Sequence, residues 1–281
     1  MKAIADPLEL QRLTGEVRRA GKRVGLVPTM GALHEGHLSL VEAARKKCDF
    51  LVVSIFVNPK QFGPNEDFKN YPRDLNKDLA LLTPYEIDVV FTPEAEAMFP
   101  AGFSANVEIN GGLVEALCGK SRPGHFSGVL TVVAKLFNLT RPDLAFFGEK
   151  DYQQQLIIRK MTKDLNFPIE IVTMPTIREA NGLAKSSRND YLKLDEREAA
   201  GVIFRALQLA KEKISKEPIN AIKQQLRELV EKEPLAKIDY IELADPETLA
   251  EAGFDAKKVL VALAIWIGQT RLIDNLVVEK K

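Results

Sequence analysis

The sequence predicts an α/β protein in two parts: a doubly wound parallel sheet over residues 1–175, then a smaller α+β domain over residues 176–281. Three observations carry this expectation. Strand and helix patterns alternate through the first part, and repeated β-then-α order implies a parallel sheet with right-handed crossovers. Phe50-Leu51-Val52-Val53-Ser54-Ile55-Phe56-Val57 is a near-continuous apolar run rich in β-branched residues, as in a strand covered on both faces. After Pro175 the chain turns to charged helical segments and then to two further strand patterns.

The elements follow in order. Met1 opens into a polar, helix-like segment. Arg23–Pro28 reads as the first strand and His37–Lys47 as an amphipathic helix with Leu38, Val41 and Ala43/Ala44 inward. Phe50–Val57 is the second strand, and a polar loop with Pro and Gly punctuation runs from Asn58 to Pro72. Arg73–Leu82 is a helix, Ile87–Thr92 a third strand and Val107–Asn110 a small extra strand. Val129–Thr140 is a helix closed by Pro142, Leu144–Phe147 a fourth strand, Tyr152–Leu165 a helix and Ile169–Met174 a fifth strand. Beyond the boundary, Glu196–Lys216 and Ile219–Lys232 are helices, and Ile238–Leu243 and Val259–Ile267 are strands joined by a segment around Pro246.

Composition bounds the function. Hydrophobic residues make up 46% and charged residues 28% of the 281, as in soluble globular proteins. Lys+Arg and Asp+Glu are equal at 39 each, which argues against a general nucleic-acid binder but leaves room for a local basic pocket. The segment after Met1 lacks an apolar signal core, and no run of about 20 apolar residues is present, so no secretory leader or membrane span is expected. Cys48 and Cys118 are isolated, without the spacing of a disulfide framework or a structural zinc site. The expected location is the cytoplasm.

Five segments carry chemistry. Met30-Gly31-Ala32-Leu33-His34-Glu35-Gly36-His37 lies where the first strand hands over to a helix. In a doubly wound sheet that corner binds ligands, and a helix N-terminus there offers peptide N–H groups to a polyphosphate. Gly148-Glu149-Lys150-Asp151-Tyr152-Gln153-Gln154 follows the fourth strand in the same way, with Lys150 suited to phosphate and Gln154 to a hydroxyl or carboxylate. In Gly182-Leu183-Ala184-Lys185-Ser186-Ser187-Arg188-Asn189, two hydroxyls between two cations suit a mobile phosphate loop. Asn58 and Gln61 leave the second strand where a small polar substrate would dock, and Arg122 and His125 sit at the entry to a helix that could face the same cleft. Plainer readings stand beside these: a helix cap, a surface turn, an interdomain linker, a satisfied loop amide, a capped helix start. Histidines three apart without a third ligand are weak as a metal site. Strand polarity predicts that residues 31–37, 58–61 and 148–154 converge on one edge of the sheet, which favours a single site.

Pro28–His37, Val53–Phe62, Phe147–Gln154 and Ser186–Asn189, in this order and spacing, together resemble the pantothenate synthetase (pantoate–β-alanine ligase) family, and the resemblance extends to Trp266–Asn275. The histidine motif alone is shared across a wider nucleotidyltransferase superfamily; the four segments together are highly specific. The resemblance implies a Rossmann-like catalytic domain over 1–175 and a C-terminal lid over 176–281. It implies ATP-dependent condensation of (R)-pantoate with β-alanine through a pantoyl-adenylate, releasing pyrophosphate and then AMP. It assigns His34 and His37 to the ATP phosphates, with His37 as proton donor and Lys150 and Arg188 beside them as catalytic cations. Met30, Gly31, Ala32, Leu33, Glu35 and Gly36 would line the nucleotide, Gly148, Glu149 and Asp151 its ribose and adenine side, and Ile177 the nucleotide as well. Lys185, Ser186, Ser187 and Arg188 would close on the phosphates. Gln61 and Gln154 would bind pantoate, Gln61 later holding β-alanine, with Asn58 near the β-alanine end. Mg²⁺ would ride on ATP, and the family implies a homodimer. Lys185 departs from the apolar Leu or Met that the resemblance leads one to expect: it either strengthens ATP binding or points to solvent.

Two competing readings remain at this level. One is a nucleotidyltransferase that moves AMP to a phosphate, for which more Arg and Lys than Gln61 and Gln154 would be expected. The other is an ATP-sensing module without catalysis, which would need neither both histidines nor a carboxylate pocket.

Overall fold

The apolar runs of the first 175 residues assemble into a six-stranded, all-parallel sheet. The strands are β1 (Lys2–Ile4), β2 (Val24–Thr29), β3 (Phe50–Ile55), β4 (Val89–Phe91), β5 (Leu144–Gly148) and β6 (Glu170–Met174), in the order β1-β4-β3-β2-β5-β6. The structure is a computed structural model that describes residues 1–64, 66–253 and 255–280. Leu51, Val52 and Val53 of β3 and Leu144, Ala145 and Phe146 of β5 are all buried, because helices cover both faces of the sheet. Helix Glu35–Arg45 buries Leu40, Val41 and Ala44 in one cluster with Val27, Val53, Val90 and Phe146. Each of the Leu, Val and Phe side chains contributes about 1.5–3 kcal/mol relative to exposure. Helix His125–Thr140 is buried over most of its circumference, as an all-round apolar helix must be.

The chain order reverses between β2 and β5, so the crevice at their carboxyl ends is the sheet's topological switch point. The pairing there is short. β2 runs in register with β3 from Val24–Phe50 to Thr29–Ile55, but with β5 only at Gly25–Leu144 and Leu26–Ala145.

Contacts divide the chain into two units: 1–109, 122–149 and 154–175 in the first, and 110–121, 150–153 and 176–281 in the second. The second unit contains a three-stranded antiparallel sheet of β7 (Ala236–Ala244), β8 (Lys258–Ile267) and β9 (Thr270–Glu279). Val259, Val261, Leu263, Ile265 and Ile267 recur at the two-residue period of a strand and share a core with Val202, Ile203, Leu207, Ile222 and Leu226 of helices Gly201–Lys213 and Ile219–Glu231.

The expected strands and long helices form with small shifts at their ends, and the structure departs from the expectation at four places. Val107–Asn110 is not a strand: the Val107 N–H donates to Thr131 Oγ1 at 3.0 Å instead of joining a ladder. The expected helix Glu196–Lys216 is two helices, Leu194–Ala199 and Gly201–Lys213, hinged at Ala200. β1 and β9 are additional strands. Cys48 and Cys118 are buried free thiols, and burial pushes the Cys48 thiol up to about 11. Among the described residues no helix is long and apolar enough to cross a membrane.

Candidate active site

β2 ends at Thr29, and Met30–His34 turns the chain into helix Glu35–Arg45. The turn needs left-handed backbone at Gly31 (φ +80) and Ala32 (φ +49), which for alanine costs about 1–2 kcal/mol. Asp78, 2% exposed on helix Leu75–Leu82, holds it there. Its carboxylate accepts the Ala32 N–H at 3.0 Å and the Leu33 N–H at 2.8 Å. Hydrogen bonds to a charged group are worth about 1.5–3 kcal/mol each, enough to offset the strain. Burial pushes the Asp78 carboxyl above its ordinary value, although the two peptide donors pull it back. A Cβ on Gly31 would lie 2.9 Å from Asp78 Oδ2 and 3.1 Å from Ile55 Cγ2, so the turn also excludes any side chain.

The two histidines cap the helix reciprocally. His34 Nδ1 accepts the Gly36 N–H at 3.1 Å, and His37 Nδ1 accepts the His34 N–H at 3.4 Å. The rings lie 4.1 Å apart, centroid to centroid. This is the hydrogen-bond pattern of a capping box, made with imidazoles in place of hydroxyl and carboxylate. A ring nitrogen that accepts a hydrogen bond carries no proton, so each neutral ring carries its proton on Nε2. The helix-capping reading and the ligand reading therefore use different atoms of the same rings.

The second corner leaves β3. Asn58 caps the short 3-10 turn Pro59–Gln61, its Oδ1 accepting the Lys60 N–H at 3.2 Å. Asn58 is 1% exposed, and its Nδ2 donates to Gly128 O at 3.0 Å and Gln61 Oε1 at 3.1 Å. It therefore touches the Gln61 side chain directly. Gln61 Nε2 lies 2.9 Å from Met30 Sδ, which joins this corner to the histidine corner. The Gln61 carbonyl accepts from Arg122 at 3.3 Å and from His125 Nδ1 at 2.8 Å. Arg122 in turn forms a two-pronged pair with Glu66, at 2.6 and 2.5 Å. Burial pushes the Glu66 carboxyl up, but the Arg122 hydrogen bond and charge outweigh it and hold it below its ordinary value.

The third segment leaves β5 at Gly148. Of three consecutive glutamines, Gln153 and Gln155 are buried and engaged: Gln153 bonds Cys118 N, Leu113 O and Ala116 O, and Gln155 accepts from Arg159. Gln154 is half-buried, and its amide makes no hydrogen bond among the described residues. Because β3, β2 and β5 are parallel neighbours, residues 30–37, 58–61 and 148–149 all leave one edge of the sheet.

The remaining expected residues lie in the second unit. The Lys185 N–H donates to Ile177 O at 2.9 Å, so Ile177 and Lys185 stand opposite each other across a narrow hairpin. Ser186 caps the turn Ser187–Tyr191 through the Arg188 N–H, at 3.3 Å. The hairpin is anchored by Arg178 on the buried Asp274, at 2.5 and 3.0 Å, and by Glu179 on Arg197, at 2.7 Å. Asn275 Nδ2 donates to Lys150 O at 2.8 Å and fixes the backbone at that lysine, with Asp151 next in the chain. Asp78 and Glu66 are the supporting residues that the motif reading did not single out. Arg122 and His125 grip the Gln61 carbonyl.

Comparison with known proteins bears on the same geometry. A family model described as pantoate-beta-alanine ligase matches residues 2–277. The chain is 52% identical over 281 residues to a pantothenate synthetase of Carboxydothermus hydrogenoformans and 53% identical to one of Moorella thermoacetica, covering 99% of each chain. A crystal structure of pantothenate synthetase from Thermus thermophilus superposes with a TM-score of 0.93 at 44% identity, covering 98% of this chain and 99% of that one. A pantoate-beta-alanine ligase from Francisella tularensis, solved in complex with beta-gamma ATP and beta-alanine, superposes with a TM-score of 0.83 at 35% identity, covering 99% and 97%. With its parallel sheet, its histidine-capped corner and a match along nearly its whole length, the chain belongs to the pantoate-beta-alanine ligase family.

Proposed function

We propose that this chain condenses (R)-pantoate with β-alanine to form pantothenate at the expense of ATP. A pantoate carboxylate oxygen attacks the α-phosphorus, and the bond to the β-phosphate oxygen breaks, releasing pyrophosphate. The β-alanine amine then attacks the acyl carbon of the pantoyl-adenylate, loses a proton and expels AMP. The first step is needed because hydroxide is a poor leaving group from a carboxylate, whereas AMP is a good one. Support comes from one observation above all: the His34–His37 pair and the amide of Gln61 leave neighbouring strands at the same sheet edge.

In this reading His34 and His37 donate from Nε2 to ATP phosphate oxygens as negative charge gathers at the α-phosphate, where pre-aimed donors matter most. Met30–Gly36 bring peptide groups close to the nucleotide. Gln61 and Gln154 orient the pantoate carboxylate and hydroxyls, Gln61 later holds β-alanine, and Asn58, bonded to Gln61, serves the β-alanine end. Gly148, Glu149 and Asp151 face the nucleoside. Lys150, Lys185, Ser186, Ser187 and Arg188 supply cations and hydroxyls to the phosphates, with Ile177 on the nucleotide. Residues 176–281 serve as a lid that keeps water from the acyl-adenylate. Mg²⁺ is carried by the phosphate oxygens, a donor set suited to a hard cation. We place the enzyme in the cytoplasm as a homodimer, without nucleic-acid or membrane partners.

AMP release tests the proposal. It is expected only when pantoate and β-alanine are both present with ATP. Pyrophosphate release to another acceptor without AMP would instead identify a nucleotidyltransferase, and release of neither would identify a sensor.

A further inference from the structure

We propose that Glu66, Arg122 and His125 form a positioning clamp on the main chain of Gln61 that fixes where its amide meets the substrate carboxylate. The proposal rests on Gln61 binding pantoate. A guanidinium has donors only, so the 2.9 Å contact between Arg122 and His125 Nε2 makes that ring nitrogen the acceptor. The His125 proton then sits on Nδ1 and is donated to the Gln61 carbonyl at 2.8 Å. Arg122 adds a second donor to the same oxygen. Glu66 fixes the plane of the guanidinium through two parallel bonds, the geometry that gives Arg–carboxylate pairs their directionality. The chain of contacts thus runs from Glu66 to Arg122, to the tautomer of His125, to the Gln61 peptide.

The same helix start presses on the turn from below. A Cβ on Gly128 would lie 2.2 Å from Lys60 O and 2.7 Å from Gln61 N, so the helix meets the peptide at bare backbone. The Gly128 carbonyl also receives the Asn58 amide, which in turn donates to Gln61 Oε1. Both ends of Gln61, carbonyl and side-chain amide, are therefore referred to one rigid element. Such rigidity matters because a misplacement of about 1 Å can lower a rate by about 10²-fold.

The test uses the purified full-length enzyme and four variants. Asparagine can place a donor where His125 Nδ1 stands; glutamine places its amide near Nε2. H125Q is expected to raise the pantoate KM about tenfold or more while the ATP KM stays within about twofold, and H125N to recover most of that loss. Equal defects in H125N and H125Q, or an ATP KM that moves as far as the pantoate KM, would overturn the clamp. So would a raised pantoate KM in Q61A alongside an unchanged one in H125Q. An unchanged pantoate KM in Q61A would overturn the role given to Gln61, and the proposal with it. Should H125Q fail to fold by circular dichroism, E66Q decides: a pantoate KM raised about two- to threefold supports the clamp, and an unchanged value overturns it.

Discussion

Asp78 and Glu66 each brace a loop that leaves the carboxyl edge of the parallel sheet, and they do so in different ways. Asp78 is buried and grips two peptide N–H groups of the histidine corner; burial raises its pKa. Glu66 is half-buried and acts at one remove, orienting an arginine and a histidine that grip the Gln61 carbonyl; its arginine lowers its pKa. The first brace sets backbone strain directly. The second fixes side chains from a helix far along the chain. The comparison predicts that damage at the histidine corner is felt by ATP, and damage at the Gln61 turn by pantoate.

The largest effect should come from the corner itself. His37→Ala is expected to slow pantoate-dependent pyrophosphate exchange about 10²–10³-fold while pantoate binding changes little. Exchange near the wild-type rate would remove His37 from the chemistry. Next, Asp78→Asn leaves one oxygen for two peptide donors. It should lower kcat/KM for ATP about 10–100-fold without moving the pantoate KM, and lower stability by about 1–3 kcal/mol in urea melts. An equal rise in pantoate KM would erase the distinction between the two loops. Lys185→Met should raise the ATP KM about two- to fivefold, the range of a solvent-screened charge pair; no change would show that this cation points to solvent.

The smallest effect is in pH dependence, where the two braces have opposite signs. The folded-state pKa of Glu66 lies below its ordinary 4.5, so its stabilisation is present above that value and lost as pH falls through the folded one. The folded-state pKa of Asp78 lies above its ordinary 3.8, so the folded chain binds the proton more readily. Its relative stability therefore falls as pH rises through the window from 3.8 to the folded value. From about pH 6 to about pH 3.5, the advantage of wild type over E66Q should shrink, and its advantage over D78N should grow. Parallel curves would mean that the two carboxylates sit in equivalent environments.

What was legible in the sequence was what is local. Continuous apolar runs announced β2, β3 and β5, because strands covered on both faces cannot alternate. The histidine corner was legible as a strand-to-helix junction. β1 was not, since three residues pair across the chain with β4. β9 was hidden because Thr270, Asp274 and Asn275 are buried polar residues that break its apolar pattern, Asp274 being paired by Arg178. Asp78 left one trace: it lies one helical turn before the buried Leu82, a charge on an inward face. The Glu66–Arg122 pair spans 56 residues, and nothing local to either residue announces it. Of the three adjacent glutamines, the helical period turns neighbours about 100° apart, and only the fold shows that Gln153 and Gln155 point into protein.

The short pairing between β2 and β5 shapes the edge of the sheet. The ladder divides into two plates, four strands and two, riveted together at Gly25–Leu144 and Leu26–Ala145. Beyond the rivets the plates form a notch whose lips carry the histidine corner on one side and the Gly148 segment on the other. The width of that notch, and with it the spacing of the loops on its two lips, is thus set by strand register.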